Sequence, residues 1–507
     1  MNMYPANYKP SKKPPLQSWL FGHRVQPGQT KYEYLVEFLQ VAIARKENPY
    51  HKQYTEMFPV DDYIGVGGFH YFPKSRIGLK RFVFFSKSKL DGKATVDKNA
   101  YDECINALTK SISGGNDISK MNSIKILQNL LNGFSAVNQN RSWFDQNMLP
   151  VCPEVILPEG MGIKKWRQGI DFQRANIAVD YKFDFHKYTY MCRGGEVYYL
   201  HLLSAINQCP KYKNIIEQRL REMINSFPQF SYLCSFIQNI WDSYMMFAEE
   251  EKEAEEHRIL KKDLGAIPVK FSERNTYTLS ELENFLNSKA HPFEKMEMMA
   301  NGIILQIMRL MYNVASTDIE SNCWVIDINC KGFDNTEVKK AAIASFKHNE
   351  EVISNYLYTG LKELKDELSE ADEQKVIKNA ADDSYRLFRK MGKMIGIIIP
   401  NTGTGMRFSL SEDIIKFLVL SIIPPKSMIT LDEFVQQLYK HYGIVIGPEQ
   451  YRKEMFRGSV KGSGDLSFLD ENLKAFSQKL KDCGFLRDLS DATSIVENPY
   501  ESEAIQI

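Results

Sequence analysis

The chain has 507 residues, 43% of them apolar and 25% charged, with 64 Lys and Arg against 63 Asp and Glu. That length suffices for two to four domains with cores of their own, and the composition is that of a folded soluble chain. A formal net charge of +1 excludes a globally basic nucleic-acid coat protein, so any phosphate contact has to come from a local patch.

Residues 1–18 are polar and proline-rich and are expected to form an extended arm. They lack the apolar core of a signal peptide, and no uninterrupted apolar run is long enough to span a bilayer. The expectation is a soluble, cytoplasmic protein without membrane contact. High Lys, Asn and Ile usage fits a low-GC bacterial genome. Eight cysteines, at 104, 152, 192, 209, 234, 323, 330 and 483, contain no C-x-x-C pair. They read as reduced, mostly buried thiols and supply no zinc site.

Thr30 and Glu33 have capping-box spacing, and Tyr34, Phe38, Val41 and Ala42 mark one face of the helix they open. Residues 63–88 have strand character, with "RFVFF" as an apolar run. Periodicity becomes helical over 98–131, interrupted at Gly114-Gly115. Between 175 and 190 the residues Ile177, Val179, Tyr181, Phe183 and Phe185 alternate as in a half-buried strand. Arg193-Gly194-Gly195-Glu196 turns the chain into a helix, and helical pattern continues to about residue 250. Residues 249–256 hold six Glu and one Lys, a net −5, which reads as a solvated helix or linker. Helices follow at 279–286 and at 293–314, where Met296, Met298, Met299, Met308 and Met311 read as core packing. Residues 324–328 suggest a short strand, and 338–394 more helix.

The last part of the chain parses most completely. Residues 411–423 carry an apolar helical stripe that Pro424 and Pro425 stop. Thr430 and Glu433 repeat the capping box before Val435, Leu438, Tyr439 and Tyr442, and Gly443 closes that helix. Gly447-Pro448 opens a short helix through Phe456. Asp470 is placed to cap a helix with Leu473, Phe476, Leu480 and Cys483 on one face. Residues 485–489 and 493–496 read as a hairpin.

The order helix, short strand, helix, helix, two-stranded wing resembles a winged helix-turn-helix over roughly the last fifth of the chain. "MITLDEFVQQLYKHYGIVIG" with "NLKAFSQKLKDCGFLRDLSD" is also similar to tails of bacterial proteins from multi-gene phage-defence loci. That resemblance implies a defence setting and protein partners.

Two stretches suit nucleic acid. Residues 73–93 hold Lys74, Arg76, Lys80, Arg81, Lys87, Lys89 and Lys93 against Asp91, a net +6. Phe82, Phe84 and Phe85 are interleaved, and bases stack on aromatics where cations hold phosphates. The plainer reading is a strand with core phenylalanines and solvated lysines. In the C-terminal segment Arg452, Lys453, Arg457 and Lys461 outnumber Glu449 and Glu454 by two. The helix at 470–482 is balanced, with Lys474, Lys479 and Lys481 against Asp470, Glu471 and Asp482. A DNA-reading helix usually presents a basic face, so duplex DNA and a protein partner both stay open.

Catalytic signatures are sparse. There is no G-x-S-x-G, P-loop, H-E-x-x-H or dinucleotide glycine pattern, and no cofactor or metal site is implied. A divalent-metal nuclease needs carboxylates and a lysine on adjacent strands, for which Glu159, Asp180 and Lys182 are the candidates. The glycines at 193–196 offer an anion a helix N-terminus, or serve only a tight turn.

The expectation is therefore a mostly α, α+β multidomain protein. It divides into an arm (1–18), a mixed N-terminal region (19–190), a helical middle (191–400) and a winged helix (401–507). The leading function is a non-enzymatic DNA- or partner-binding subunit of a bacterial multi-protein assembly. A metal-dependent nuclease and a transcriptional regulator are the alternatives.

Overall fold

The computed structural model describes residues 2–10, 12–22, 28–61, 68–87, 95–136, 143–160, 189–190, 194–246, 261–316, 323–368, 370–455, 465–490 and 493–502. The fold is mostly α with small sheets, an α+β multidomain arrangement. The N-terminal helices are α1 (Leu16–Phe21), α2 (Lys31–Ile43), α3 (Ile77–Phe84), α4 (Thr95–Ser111) and α5 (Asp117–Asn132). The middle contributes α6 (Gly194–Gln208), α7 (Lys213–Ile224), α8 (Pro228–Met246), α9 (Asn275–Asn287), α10 (Pro292–Ala315), α11 (Thr336–Leu364), α12 (Glu373–Asp382) and α13 (Tyr385–Met394). The C-terminal helices are α14 (Glu412–Ile422), α15 (Leu431–Tyr442), α16 (Pro448–Met455) and α17 (Ser467–Asp482).

Strand β1 (Met3–Tyr4) anchors the proline-rich start, because it pairs with β8 (Ile267–Pro268). A four-stranded antiparallel sheet has the order β3-β2-β4-β7, from Gln53–Tyr54, Arg45–Glu47, Phe69–Phe72 and Lys262–Leu264. In β4, Phe69 and Tyr71 are buried and alternate with partly exposed neighbours, the period of a strand with one covered face. Among the described residues of 63–88 the strand reading holds only there. "RFVFF" belongs to α3 and the turn after it, with Phe82, Val83, Phe84 and Phe85 all buried. A short apolar run packed on every side has no period to separate strand from helix. The alternating residues from 177 to 185 and the acidic run at 249–256 lie outside the described residues.

Helix α10 is the hub. It is buried along nearly its whole length and packs on α2, α6, α11, α13 and α14. Its five methionines named above all lie in the core. The pair Gly194-Gly195 is a packing device. A Cβ on Gly195 would stand 2.4 Å from the Phe38 nitrogen and the Tyr34 oxygen, so α6 presses directly on the α2 backbone. The Gly195 N–H donates to Glu37 (3.3 Å) and Glu196 accepts from the Gly265 N–H (2.7 Å). An internal carboxylate thus takes the position at this helix start that the sequence offers to an external anion.

The C-terminal segment forms the elements its periodicity predicts. Thr430 and Glu433 exchange two hydrogen bonds, of 2.9 and 3.2 Å, at the start of α15. Gly443 ends that helix in the left-handed region at φ 65°. The helix expected from Asp470 starts three residues earlier, at Ser467. Strand β12 (Met428–Thr430) pairs with β15 (Thr493–Glu497), which pairs with β14 (Leu486–Ser490), so the antiparallel order is β12-β15-β14.

The segment does not stand apart. Strand β13 (Ile444–Val445) runs parallel to β9 (Trp324–Val325), with Trp324 N–H to Gly443 O at 2.8 Å and Ile326 N–H to Val445 O at 3.0 Å. Two further short strands, β10 (Ile398–Ile399) and β11 (Arg407–Phe408), pair antiparallel beside them. Phe417 of α14 fits against Gly302 of α10, where a Cβ would come within 2.3 Å of the ring. One continuous cluster of buried apolar side chains runs from Leu16 to Val496.

Candidate functional site

The cations of the 73–93 patch separate in space. Lys74 is exposed and Arg76 partly so, beside an apolar hollow of about 500 Å³ that also involves Ile43, Phe72 and Pro153. Lys80 is fully buried and donates to the carbonyls of Leu157 (3.3 Å) and Glu159. Burial pulls its pKa down to about 8 against the pull of Glu159. Arg81 is 1% exposed, its guanidinium 4.6 Å from the Trp241 ring and 5.2 Å from that of Trp143. Lys89 and the Lys87 side chain lie outside the described residues.

Glu159 opens β5 (Glu159–Gly160), which pairs with β6 (Thr189–Tyr190). It is 2% exposed and accepts the Arg76 N–H at 2.6 Å, and desolvation raises its pKa despite nearby Lys80. Asp180 and Lys182 lie outside the described residues. The nuclease candidates are therefore not brought together by anything the structure describes.

In the C-terminal segment Arg452 and Lys453 occupy the exposed face of α16, and Lys453 Nζ donates to Gln436 Oε1 at 2.9 Å. Arg457 and Lys461 lie outside the described residues. Helix α17 uses its inner face structurally. The Asn472 amide donates to the carbonyls of Ile326 and Ile446, both at 2.9 Å, and accepts the Ile328 N–H at 3.0 Å. Its outer face shows Asp470, Glu471, Lys474, Gln478, Lys481 and Asp482, a mixed surface.

Lys479 does not face outward with Lys474. It turns toward Leu410, donating to that carbonyl at 2.6 Å, and lines a polar cavity of about 640 Å³. Lys31, Lys393 and Arg407 supply three more cations, and Asp413 the one carboxylate among the lining residues. Arg407 pairs with Asp327 and Lys31 with Glu297, whereas Lys393 Nζ donates to the Asn401 carbonyl at 2.9 Å. Sequence reasoning missed this group because its members come from three distant stretches, each with an unremarkable local charge.

A second cluster fastens the C-terminal segment to the middle. Arg274 reaches Glu281 at 3.4 Å and the His441 carbonyl, and Glu281 meets His441 Nδ1 at 3.0 Å. Burial alone would raise the Glu281 carboxyl, but Arg274, His441 and Gln306 hold it below the ordinary glutamate value. Close by, His201 is fully buried with Nε2 3.0 Å from Thr278 Oγ1, and burial drives its pKa down to about 3.

Residues 406–500 match a family model, that of methylation-associated defense system protein MAD7. The match spans the segment from β11 to just past β15, the stretch whose element order is described above. This part of the chain is thus similar to a defence-system protein, in line with the resemblance to phage-defence tails. No curated protein and no solved structure matches the chain. Among the described residues no helix is long and apolar enough to cross a membrane.

Proposed function

We propose that this chain is a non-enzymatic subunit of a bacterial multi-protein defence assembly, and that residues 406–500 form a winged-helix module through which it contacts duplex DNA. The observation that carries the reading is the coincidence of two boundaries. The match to MAD7 and the run of helices closed by the β12-β15-β14 sheet cover the same residues. The element order α14, β12, α15, β13, α16, α17 and hairpin supports the winged-helix reading.

In this reading the exposed Arg452 and Lys453 of α16, with Lys474 of α17, position phosphates and do not read bases. Lys74 and Arg76 extend the contact on the N-terminal side. Helix α17 is a poor reading helix, since its inner face is occupied by the Asn472 hydrogen bonds and its outer face is charge-balanced.

The test uses the full chain. A chain ending at residue 400 would uncover the faces of α9 and α10 that pack on α14, so its loss of binding would be uninformative. Anisotropy on a short duplex across a salt series is expected to give a steep fall in affinity. In Arg452→Glu/Lys453→Glu the log–log slope should shrink by about two. No binding by the unaltered chain at low salt would defeat direct DNA contact. The α16 face would then be a protein contact, to be sought by co-purification with the proteins of the same defence locus.

A further inference from the structure

We propose that the cavity lined by α2, α10, the end of α13, the β10–β11 hairpin, the start of α14 and α17 binds a nucleoside phosphate. It is independent of the DNA contact proposed for α16, because none of the α16 cations lines it.

About 640 Å³ falls within the range of small-molecule sites and accommodates a mononucleotide. Charge comes next. Of the four lining cations, Lys31 and Arg407 are neutralised by Glu297 and Asp327. Lys393 and Lys479 lie within 4 Å of no carboxylate among the described residues, and their ammonium groups are held in place by the carbonyls of Asn401 and Leu410. A main-chain carbonyl orients an ammonium and leaves its full charge, so that with Asp413 on the same lining a net positive charge remains for a phosphate group.

The last observation selects a ligand with more than an anion. Asn301 lines the cavity, is 1% exposed, and its side-chain oxygen has no hydrogen-bond partner. A buried acceptor without a donor is costly, and a ribose hydroxyl or base amino group would satisfy it. Inorganic phosphate would fill only a small part of the space. The cavity also spans three parts of the chain, with Lys31 from α2, Asn301 from α10 and Lys479 from α17. A bound nucleotide would therefore tie the C-terminal module to the rest and raise the unfolding temperature.

The experiment is calorimetry and thermal denaturation of the full chain with ATP, GTP, CTP and UTP in turn, beside inorganic phosphate and a short DNA duplex. At least one triphosphate is expected to bind and raise Tm. Lys393→Gln/Lys479→Gln keeps both side-chain donors and should weaken that binding at least about tenfold. Lys479→Arg keeps the charge and should retain binding, which separates loss of charge from loss of fold. Arg452→Glu/Lys453→Glu should leave it unchanged. Absence of binding by all four triphosphates would overturn the proposal, as would equal affinity in the glutamine pair. Binding of inorganic phosphate alone, or triphosphate binding lost in the α16 reversal, would overturn it as well.

Discussion

Residues 73–87 and residues 448–482 carry comparable raw material, cations interleaved with aromatic and aliphatic side chains, and they dispose of it in opposite ways. In the first, α3 is packed on all sides, so Lys80 and Arg81 turn inward with the phenylalanines. In the second, α16 and α17 are each covered on one face only, and Arg452, Lys453 and Lys474 remain outside. The difference teaches that a local charge count measures a surface only when the helix has one exposed side. Where it has none, a cation becomes a core group that needs carbonyls or aromatic faces to offset its desolvation.

The largest expected effect tests what joins the two regions. Glu281→Ala leaves Arg274 buried without its carboxylate and should cost about 3–5 kcal/mol, read from the urea midpoint. A loss below about 1 kcal/mol would mean that the Arg274–Glu281–His441 cluster does not hold the C-terminal module. Next comes the direct contrast between the two sets of cations. Arg81→Ala should cost about 3 kcal/mol by emptying the space between Trp143 and Trp241, whereas Arg452→Ala should stay within about 0.5 kcal/mol. Equal effects in thermal denaturation would break the comparison.

Acid sharpens the picture further. His201 has a folded pKa of about 3 against an ordinary value of 6.5. Its neutral form is favoured by the fold, so stability is full above about pH 6.5 and is lost as pH falls toward 3. Between pH 7 and 4.5 the loss should reach about 2–3 kcal/mol, and His201→Gln should flatten that limb by the same amount. Glu281, held below the ordinary glutamate value, adds a loss of the same sign once pH drops through its folded pKa.

Two smaller effects concern the C-terminal segment alone. Asn472→Ala strands the Ile328 N–H and the Ile326 and Ile446 carbonyls, at about 2 kcal/mol in equilibrium unfolding. Thr430→Ala removes one half of the capping box and should cost about 1 kcal/mol. If Thr430→Ala proved the costlier of the two, α17 would not be stapling β9 to β13.

Legibility followed the length and amphipathicity of each element. Helices α14 and α15 were readable because a stripe with period 3.6 ends at a proline or a glycine, and α2 because a capping box opens its stripe. The hairpin of β14 and β15 was readable from its short runs around 490–492. Helix α3 was not, because full burial erases its period. The polar cavity was not, because Lys31, Asn301, Lys393, Arg407 and Lys479 have no common motif. Each is ordinary in its own helix or strand, and only folding brings them to one wall.

By itself the sequence determined the local grammar of this protein: where helices begin and end, which face is apolar, and the element order of the last hundred residues. These are set by interactions within a few residues, by backbone hydrogen bonds and caps that need no distant partner. The tertiary structure decided which charges are surface and which are core. It also decided that the C-terminal module shares a strand pair and a core with the middle, and that a buried Asn301 oxygen and two lysines line one cavity. Those outcomes depend on burial and on contacts hundreds of residues apart in the chain, and desolvation, which dominates the energetics of a charge, is a property of position alone.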